Sequence, residues 1–338
     1  MRFSRVSIAS VAAIDAPHRV SSSALEEMLA PLFKRISMPR GVIASLSGIA
    51  ERRFWDEGVA PSEVAALAGD EALRRAGIPR GRVGALVSTS VCRDYIEPSV
   101  ACLVHRRLGL PSECLNLDLG NACLGFVNGM DFVANLIERG ELDYGLVVDG
   151  EGSRYAVGAT IERLNASGDA RAFADNFATL TLGSGAAAMV LGRSDLVGAD
   201  GHRYTGSVSL AATEHNQLCR GQIDGMITDG QKLLVAGVEL AQRTFARACD
   251  VFGWTPGSLG EVVIHQVSRH HTERLAGALG IDLAKIHAIY PEHGNVGPAS
   301  VPMVLAKAEE LGRLVPGQRV ALMGIGSGLN CAMAEIVW

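Results

Sequence analysis

No two of the seven cysteines are spaced as Cys-x-x-Cys, and none clusters with histidine at zinc-ligand spacing. Cys92, Cys102, Cys114, Cys123, Cys219, Cys249 and Cys331 are scattered along the chain. That pattern excludes a disulfide framework and points to a reducing compartment, the cytoplasm. No run of 18 or more apolar residues occurs, which excludes a membrane-spanning helix. Charge is scarce as well: 20% of residues are charged, the net charge is -5, and no basic run stands out. Non-specific nucleic-acid binding is excluded on that ground. The opening stretch, "MRFSRVSIASVAAIDAP", has the arginines and short apolar run of a secretory leader. It alternates as a strand does, however, and Asp15 stands where a small-residue cleavage site belongs.

What is present is a large apolar chain with many turns. The 338 residues are 48% hydrophobic and include 39 glycines, enough for one large domain or two fused halves. The order of features repeats. "VGALVSTSVCRDYIEPS", "RRLGL", "LDLGNACLGF" and "ERGELDYGLVVDGEGS" are matched by "LGEVVIHQVSRHH", "GALGI", "YPEHGNVGPAS" and "EELGRLVPGQRVALMGIGSG". Each set reads strand, helix ending in Leu-Gly, Gly-Asn-x-small turn, second helix, strand. The second helices stop at Gly140 and Gly312, residues suited to a helix C-terminus. Gly120-Asn121-Ala122-Cys123 falls opposite Gly294-Asn295-Val296-Gly297. Strands alternating with helices predict parallel βαβ units. "YGLVVDG" and "RVALMGIG" are apolar throughout, as strands buried on both faces are.

The helix after Cys123 is apolar nearly all round, with Leu124, Phe126, Val127, Met130, Phe132, Val133, Leu136 and Ile137. Its mate after Gly297 carries Val301, Met303, Val304, Leu305 and Leu311. Both are therefore expected to be buried, one from each half, at a shared interface. The predicted architecture is α/β, with two pseudo-symmetric βαβαβ halves stacked as an α-β-α-β-α sandwich. Residues 1–195 form the first half and residues 205–338 the second. The polar segment at about 151–178 reads as an irregular cap over the substrate channel. "CRGQIDGMITDGQKLL" reads as a lining of the channel entrance.

Taken alone, Cys123 is one more small buried residue, since free cysteine is among the most buried types. Its position at the start of a buried helix favours a thiolate instead. Small residues in the preceding turn leave room for a substrate. Asn295 lies on the corresponding turn of the other half. His265 ends the strand "EVVIHQ", where a lone histidine is ordinarily a core residue. Together the three suit thioester acyl transfer: a sulfur to accept the acyl group and two side chains to polarise its carbonyl. Asn121 reads as turn-forming. The adjacent His270 and His271 point apart and have no acidic companions, which argues against a metal site.

Over nearly its whole length the chain resembles the thiolase-superfamily ketosynthases of the type III acyl-carrier-protein synthase class. "GIAERRFW", "SVCRDYIEPS", "NACLGFVNGMD", "VIHQVSRHHT", "EHGNVGPASVP" and "GIGSGLNCAMAEIVW" carry the resemblance. The chain looks most like the acyl-CoA condensing branch that serves bacterial long-chain olefin biosynthesis. The resemblance implies a thiolase-like fold and a catalytic trio of Cys123, His265 and Asn295. It also implies that the Ser327 amide completes an oxyanion hole with the Cys123 amide. Substrates are then coenzyme A thioesters, with no resident cofactor.

Glu97, in "RDYIEPS", is by itself a loop glutamate kept extended by Pro98. The resemblance gives it a role. Malonyl-using ketosynthases make their carbanion by losing carbon dioxide. Condensing two ordinary acyl thioesters requires removal of an α-proton by a base in an apolar site. The resemblance assigns that base to Glu97, reaching in from the partner of a homodimer. The expected reaction is a non-decarboxylative Claisen condensation of two long-chain acyl-CoAs to a 2-alkyl-3-oxo acid, which downstream olefin-pathway enzymes would consume. The alternatives are a malonyl-using initiating synthase, a condensing enzyme of a β-lactone or polyketide pathway, and a non-catalytic subunit of a heterodimer.

Overall fold

The structure is a computed structural model that describes all 338 residues. Nine strands form one continuous hydrogen-bonded sheet, bent into two stacked halves. In chain order its strands are Val6–Asp15, Val83–Ser88, Leu115–Asp118, Tyr144–Glu151, Gly185–Arg193, His202–Ala211, Glu261–Ile264, Arg319–Gly326 and Asn330–Val337. The first five make one half and the last four the other. Only Ser7 with Arg203 and Ile8 with His202 pair across the junction. Within each half the strands of the βαβ units pair in parallel, as Val83–Ser88 does with Leu115–Asp118 and with Tyr144–Glu151. Glu261–Ile264 pairs in parallel with Arg319–Gly326. Antiparallel strands complete both halves.

Alternate residues of these strands point into different layers, because the side-chain period of a strand is two. Ala187, Met189 and Leu191 face the central layer, whereas Ala186, Ala188 and Val190 face the outer helices of the first half. Val320 and Leu322 face the centre, and Ala321 and Met323 face the outer helices of the second half. The central layer holds the helices Gly125–Glu138 and Ser300–Glu310. Pro61–Ala76 and Val100–Leu108 cover one outside, and Gly230–Phe252 and Arg269–Leu279 cover the other. These are the five layers the two-fold sequence pattern implies.

The central helix buries Phe126, Val127, Met130, Val133 and Ile137. Each such side chain contributes about 1.5–3 kcal/mol through lost water contact. Its one buried charge is Asp131, which accepts hydrogen bonds from Tyr204 Oη (2.6 Å) and Ser207 Oγ (2.7 Å) of the other half. No helix is long and apolar enough to cross a membrane.

The segment expected to be irregular is helical. Arg154–Ser167 and Ala170–Asn176 pack Val157, Ile161, Leu164 and Phe173 against Leu25, Leu29, Leu32, Phe33 and Phe54. The cap is thus built from two distant stretches, and an apolar partner stabilises helices whose own sequence is polar. Arg52, fully buried, joins the two. It donates to Ser22 Oγ (3.0 Å) and to the Leu180 carbonyl (3.1 Å). "CRGQIDGMITDGQKLL" forms a hairpin, Cys219–Gln222 with Gly225–Thr228, that leads into the long helix Gly230–Phe252. The Thr179 hydroxyl accepts from the Met226 amide at 2.8 Å and ties that hairpin to the cap.

Candidate active site

The strand Leu115–Asp118 ends in a tight turn before the helix at Gly125. The Leu124 amide donates to the Asn121 carbonyl and the Gly125 amide to that of Ala122, both at 3.0 Å. Ala122 takes the left-handed conformation, φ 45°. Asn121 does more than form the turn. Its Nδ2 donates to Asn128 Oδ1 (2.7 Å), and its Oδ1 accepts from Asn330 of the other half (3.4 Å).

Cys123 therefore stands just ahead of the helix rather than in its first turn, and its thiol is not lowered. Burial pushes it up to about 12, and the nearby Cys219, Glu151 and Asp149 add to that. The helix-start argument fails here because desolvation and two neighbouring acids outweigh a partial positive end. The Cys123 thiol therefore rests protonated.

Asn295 occupies the same place in the second half. The offset that lays Gly140 on Gly312 also lays Glu138 on Glu310, Ala122 on Gly294 and Cys123 on Asn295. Matching the Gly-Asn pairs by sequence had put Asn121 opposite Asn295. The shared feature is instead a residue with positive φ, glycine in one turn and alanine in the other, and the alanine conceals it from sequence comparison. Asn295 is held by backbone bonds to Thr181 and Gly183, each 2.9 Å. Its Oδ1 accepts from the Gly297 amide at 3.0 Å, which leaves Nδ2 free to donate.

His265 follows the strand Glu261–Ile264, and its amide donates to the Met323 carbonyl at 2.8 Å. Burial drives its ring down to about 3, with His271 adding to the shift and the Gly297 backbone opposing it. The imidazole is thus neutral beside the Asn295 turn. Gln266 braces this corner: its Oε1 accepts from the amides of Ile289 and Tyr290, and its Nε2 donates to the His287 carbonyl. Ser327 lies in the turn joining the last two strands. That hairpin packs hard on the cysteine turn. A methyl group on Gly324 would meet Leu124 at 2.6 Å, and one on Gly326 would meet the Asn121 carbonyl at 3.1 Å. The last hairpin thus sets the Ser327 turn against the Cys123 turn, and the Gly297 backbone sets His265 beside the Asn295 turn.

Glu97 does not join them within one chain. It is exposed, on a loop whose Val91, Tyr95 and Ile96 are exposed too, Ile96 almost completely. The stem of that loop is fixed from inside. Glu151 accepts from the amides of Val91 (2.6 Å) and Cys92 (3.3 Å). Asp149 and Glu151 are an acidic pair that the sequence reading passed over. Burial raises both, Asp149 well above the carboxylate range, with Glu151's charge adding to the effect. The signal was visible: two acids closing a strand that is otherwise entirely apolar. A methyl group on Gly297 would lie 3.4 Å from Glu151, so the pair sits between the loop stem and the asparagine turn.

Comparison with known proteins agrees with this geometry. Family models for 3-oxoacyl-[acyl-carrier-protein] synthase III match residues 117–209, and for its C-terminal part residues 249–338. The chain is 50% identical to an acyl-CoA:acyl-CoA alkyltransferase of Xanthomonas campestris and 39% identical to one of Shewanella oneidensis, each over 100% of both chains. Its structure is similar to cerulenin-bound OleA of Xanthomonas campestris, with TM-score 0.98 over 100% of this chain and 98% of that one, at 50% identity. Crystal structures of that OleA include variants with a cysteine, a glutamate or a histidine replaced. The chain belongs to the 3-oxoacyl-[acyl-carrier-protein] synthase III family of thiolase-like enzymes, and within it groups with the acyl-CoA:acyl-CoA alkyltransferases.

Proposed function

We propose that the protein condenses two long-chain acyl-CoA thioesters head to head, through an acyl group carried on Cys123. Cys123 Sγ attacks the first thioester carbonyl, the bond to the coenzyme A sulfur breaks, and the thiol proton leaves with that sulfur. Loading is therefore proton-neutral, which suits a resting thiol held at about 12. A second acyl-CoA then gives an α-proton to Glu97 of the partner subunit. Its carbanion attacks the acyl-Cys123 carbonyl. The new carbon–carbon bond forms and the cysteine sulfur is expelled to recover its proton. Hydrolysis of the β-ketoacyl-CoA yields a 2-alkyl-3-oxo acid and free coenzyme A.

The neutral His265 and the Asn295 amide serve as donors to developing negative oxygens, in a site where water does not compete. The amides of Cys123 and Ser327, which donate to no acceptor in the chain's turns and loops, supply the oxyanion hole. The exposed apolar loop around Glu97 supports the shared site, since a two-fold interface that includes this patch would bury the loop of each chain against its partner.

The observation that carries this reading is the pairing of Cys123 and Asn295 on equivalent turns, with His265 beside them, in a chain half identical to an acyl-CoA:acyl-CoA alkyltransferase. Mass spectrometry after incubation with a single long-chain acyl-CoA and no malonyl donor tests it. The expected product is a 2-alkyl-3-oxo acid or the ketone left when it loses carbon dioxide. Product only on addition of a malonyl thioester would overturn the proposal in favour of decarboxylative elongation.

A further inference from the structure

Behind His265 lies a small cavity of about 10 Å³. Leu275, Met323, Cys331 and Met333 line it, all from the outer layer of the second half, and His265 and His271 are its two side chains with ring nitrogens. Its size is that of a single water. Nδ1 of His265 and Nδ1 of His271 are both buried without a hydrogen-bond partner in the chain. A buried polar atom left unpaired is costly, and folded proteins seldom leave two in one cavity.

His271 is placed there by its helix. Ser268 caps Arg269–Leu279, its side chain accepting from the His271 amide at 3.2 Å. The preceding His270 is exposed, so the two adjacent histidines point to opposite sides. We propose that one water fills the cavity and donates one proton to His265 Nδ1 and the other to His271 Nδ1. His271 is then a positioning residue that keeps the single proton of His265 on Nε2. The proposal rests on the reading of His265 as a donor to substrate oxygen. The tautomer decides that role: an imidazole whose Nδ1 accepts a hydrogen bond carries its proton on Nε2, and the opposite tautomer would present a lone pair to an oxygen. Burial holds both rings well below the ordinary histidine range, which keeps both neutral and leaves each with one nitrogen able to accept a hydrogen bond.

A crystal structure at a resolution that shows waters, with nitrogen-15 histidine spectra of the intact protein, tests the arrangement. The expected result is a water about 3 Å from both Nδ1 atoms, with His265 protonated on Nε2. His271→Leu should lose the water, give mixed His265 tautomers and lower kcat for condensation about tenfold at little change in KM, the loss expected of one orienting hydrogen bond. His271→Gln keeps an acceptor and should stay within about threefold of the parent, since the bond is replaced rather than removed. A dry cavity, a direct bond between the two rings, a proton on His265 Nδ1, or a His271→Leu protein with unchanged tautomer and kcat would each overturn the proposal. If His271→Leu does not fold, the water and tautomer of the unaltered protein still decide. Normal condensation by His265→Ala would instead refute the reading of His265 and leave the water-bound geometry standing.

Discussion

The turn before Gly125 and the turn before Gly297 share a shape and differ in chemistry. Each has a residue with positive φ, Ala122 or Gly294, followed by the side chain proposed to act, Cys123 or Asn295. In the proposed reaction one half presents a sulfur that forms a bond. The other presents an amide that only donates a hydrogen bond. Their surroundings differ in the same sense. The buried acids Asp149 and Glu151 stand between the two turns, pushing up the Cys123 thiol and lying against Gly297, while the neutral rings of His265 and His271 stand on the asparagine side. A duplicated scaffold thus sets position, while the residues behind each turn set protonation.

The largest effects come from removing one side of the comparison completely. Cys123→Ala should give no acyl-protein adduct by intact mass spectrometry, and an adduct that persists would reassign the nucleophile. Glu97→Ala should load acyl groups on Cys123 and form almost no condensed product. Co-expressing the two dead variants sharpens this. In a mixed dimer the Glu97→Ala chain keeps its cysteine and borrows a glutamate from its partner, while the other site lacks both. With random pairing, activity should return to roughly a quarter of the parent. No recovery would mean that Glu97 serves its own chain.

Asn295→Ala should be less severe. It removes one donor and leaves the nucleophile, so condensation should fall about 10²- to 10³-fold, the usual loss for one oxyanion donor. Acylation of Cys123 should suffer less if Asn295 chiefly steadies the enolate of the second substrate. Stopped-flow release of coenzyme A, read against product formation, separates the two steps. Equal losses in both would place Asn295 on the first carbonyl instead.

The buried acids and the buried histidines should respond to pH with opposite signs. His265 and His271 are driven down to about 3 and about 4 by burial. A group favoured in its neutral form by folding stabilises fully above its unfolded value near 6.5. That contribution is lost as pH falls from there toward the folded value, by about 1.4 kcal/mol per pH unit for each ring. The raised Asp149 and Glu151 run the other way: folding favours their protonated forms, so their contribution is greatest at low pH and is lost as pH rises. Hydrogen exchange at pH 7.5 and pH 5, corrected for intrinsic rates, should show 265–279 loosening on acidification and 144–151 holding or tightening. Equal loosening of both segments would contradict this division.

Much of this arrangement was legible in the sequence. The strand–helix–turn–helix–strand order, the terminal glycines Gly140 and Gly312, and the all-round apolar helix after Cys123 follow from periodicity and turn chemistry. The family resemblance then implied that the distant Cys123, His265, Asn295 and Ser327 share one site. Three things were hidden. The protonation state of Cys123 depends on Asp149, Glu151 and Cys219, which approach through tertiary contacts. The cap helices have little apolar periodicity of their own and form because Leu25, Leu29 and Phe33 cover them. The true partner of Cys123 was masked because Ala122 adopts a conformation normally reserved for glycine.

That last point yields the smallest effect and the most direct test of equivalence between the turns. Gly294→Ala introduces a methyl group at φ 70°, 2.7 Å from the Thr181 carbonyl and 3.1 Å from Arg52 Cβ. Gly294 also has ψ -161°, a region that essentially only glycine adopts, so strain of about 1–3 kcal/mol is added to a clash with backbone and a loss of roughly 2–4 kcal/mol is expected by denaturant unfolding. Ala122→Gly is the reverse exchange. It relieves a strain of about 1–2 kcal/mol at φ 45° but frees the unfolded chain, which costs about 0.4–1 kcal/mol. The net stability change should stay within about 1 kcal/mol. The two substitutions therefore differ sharply only if both residues are locked at positive φ by the packing around them. If Gly294→Ala proves as mild as Ala122→Gly, the second turn is free to relax, and the structural equivalence of Cys123 and Asn295 fails at its anchoring residue.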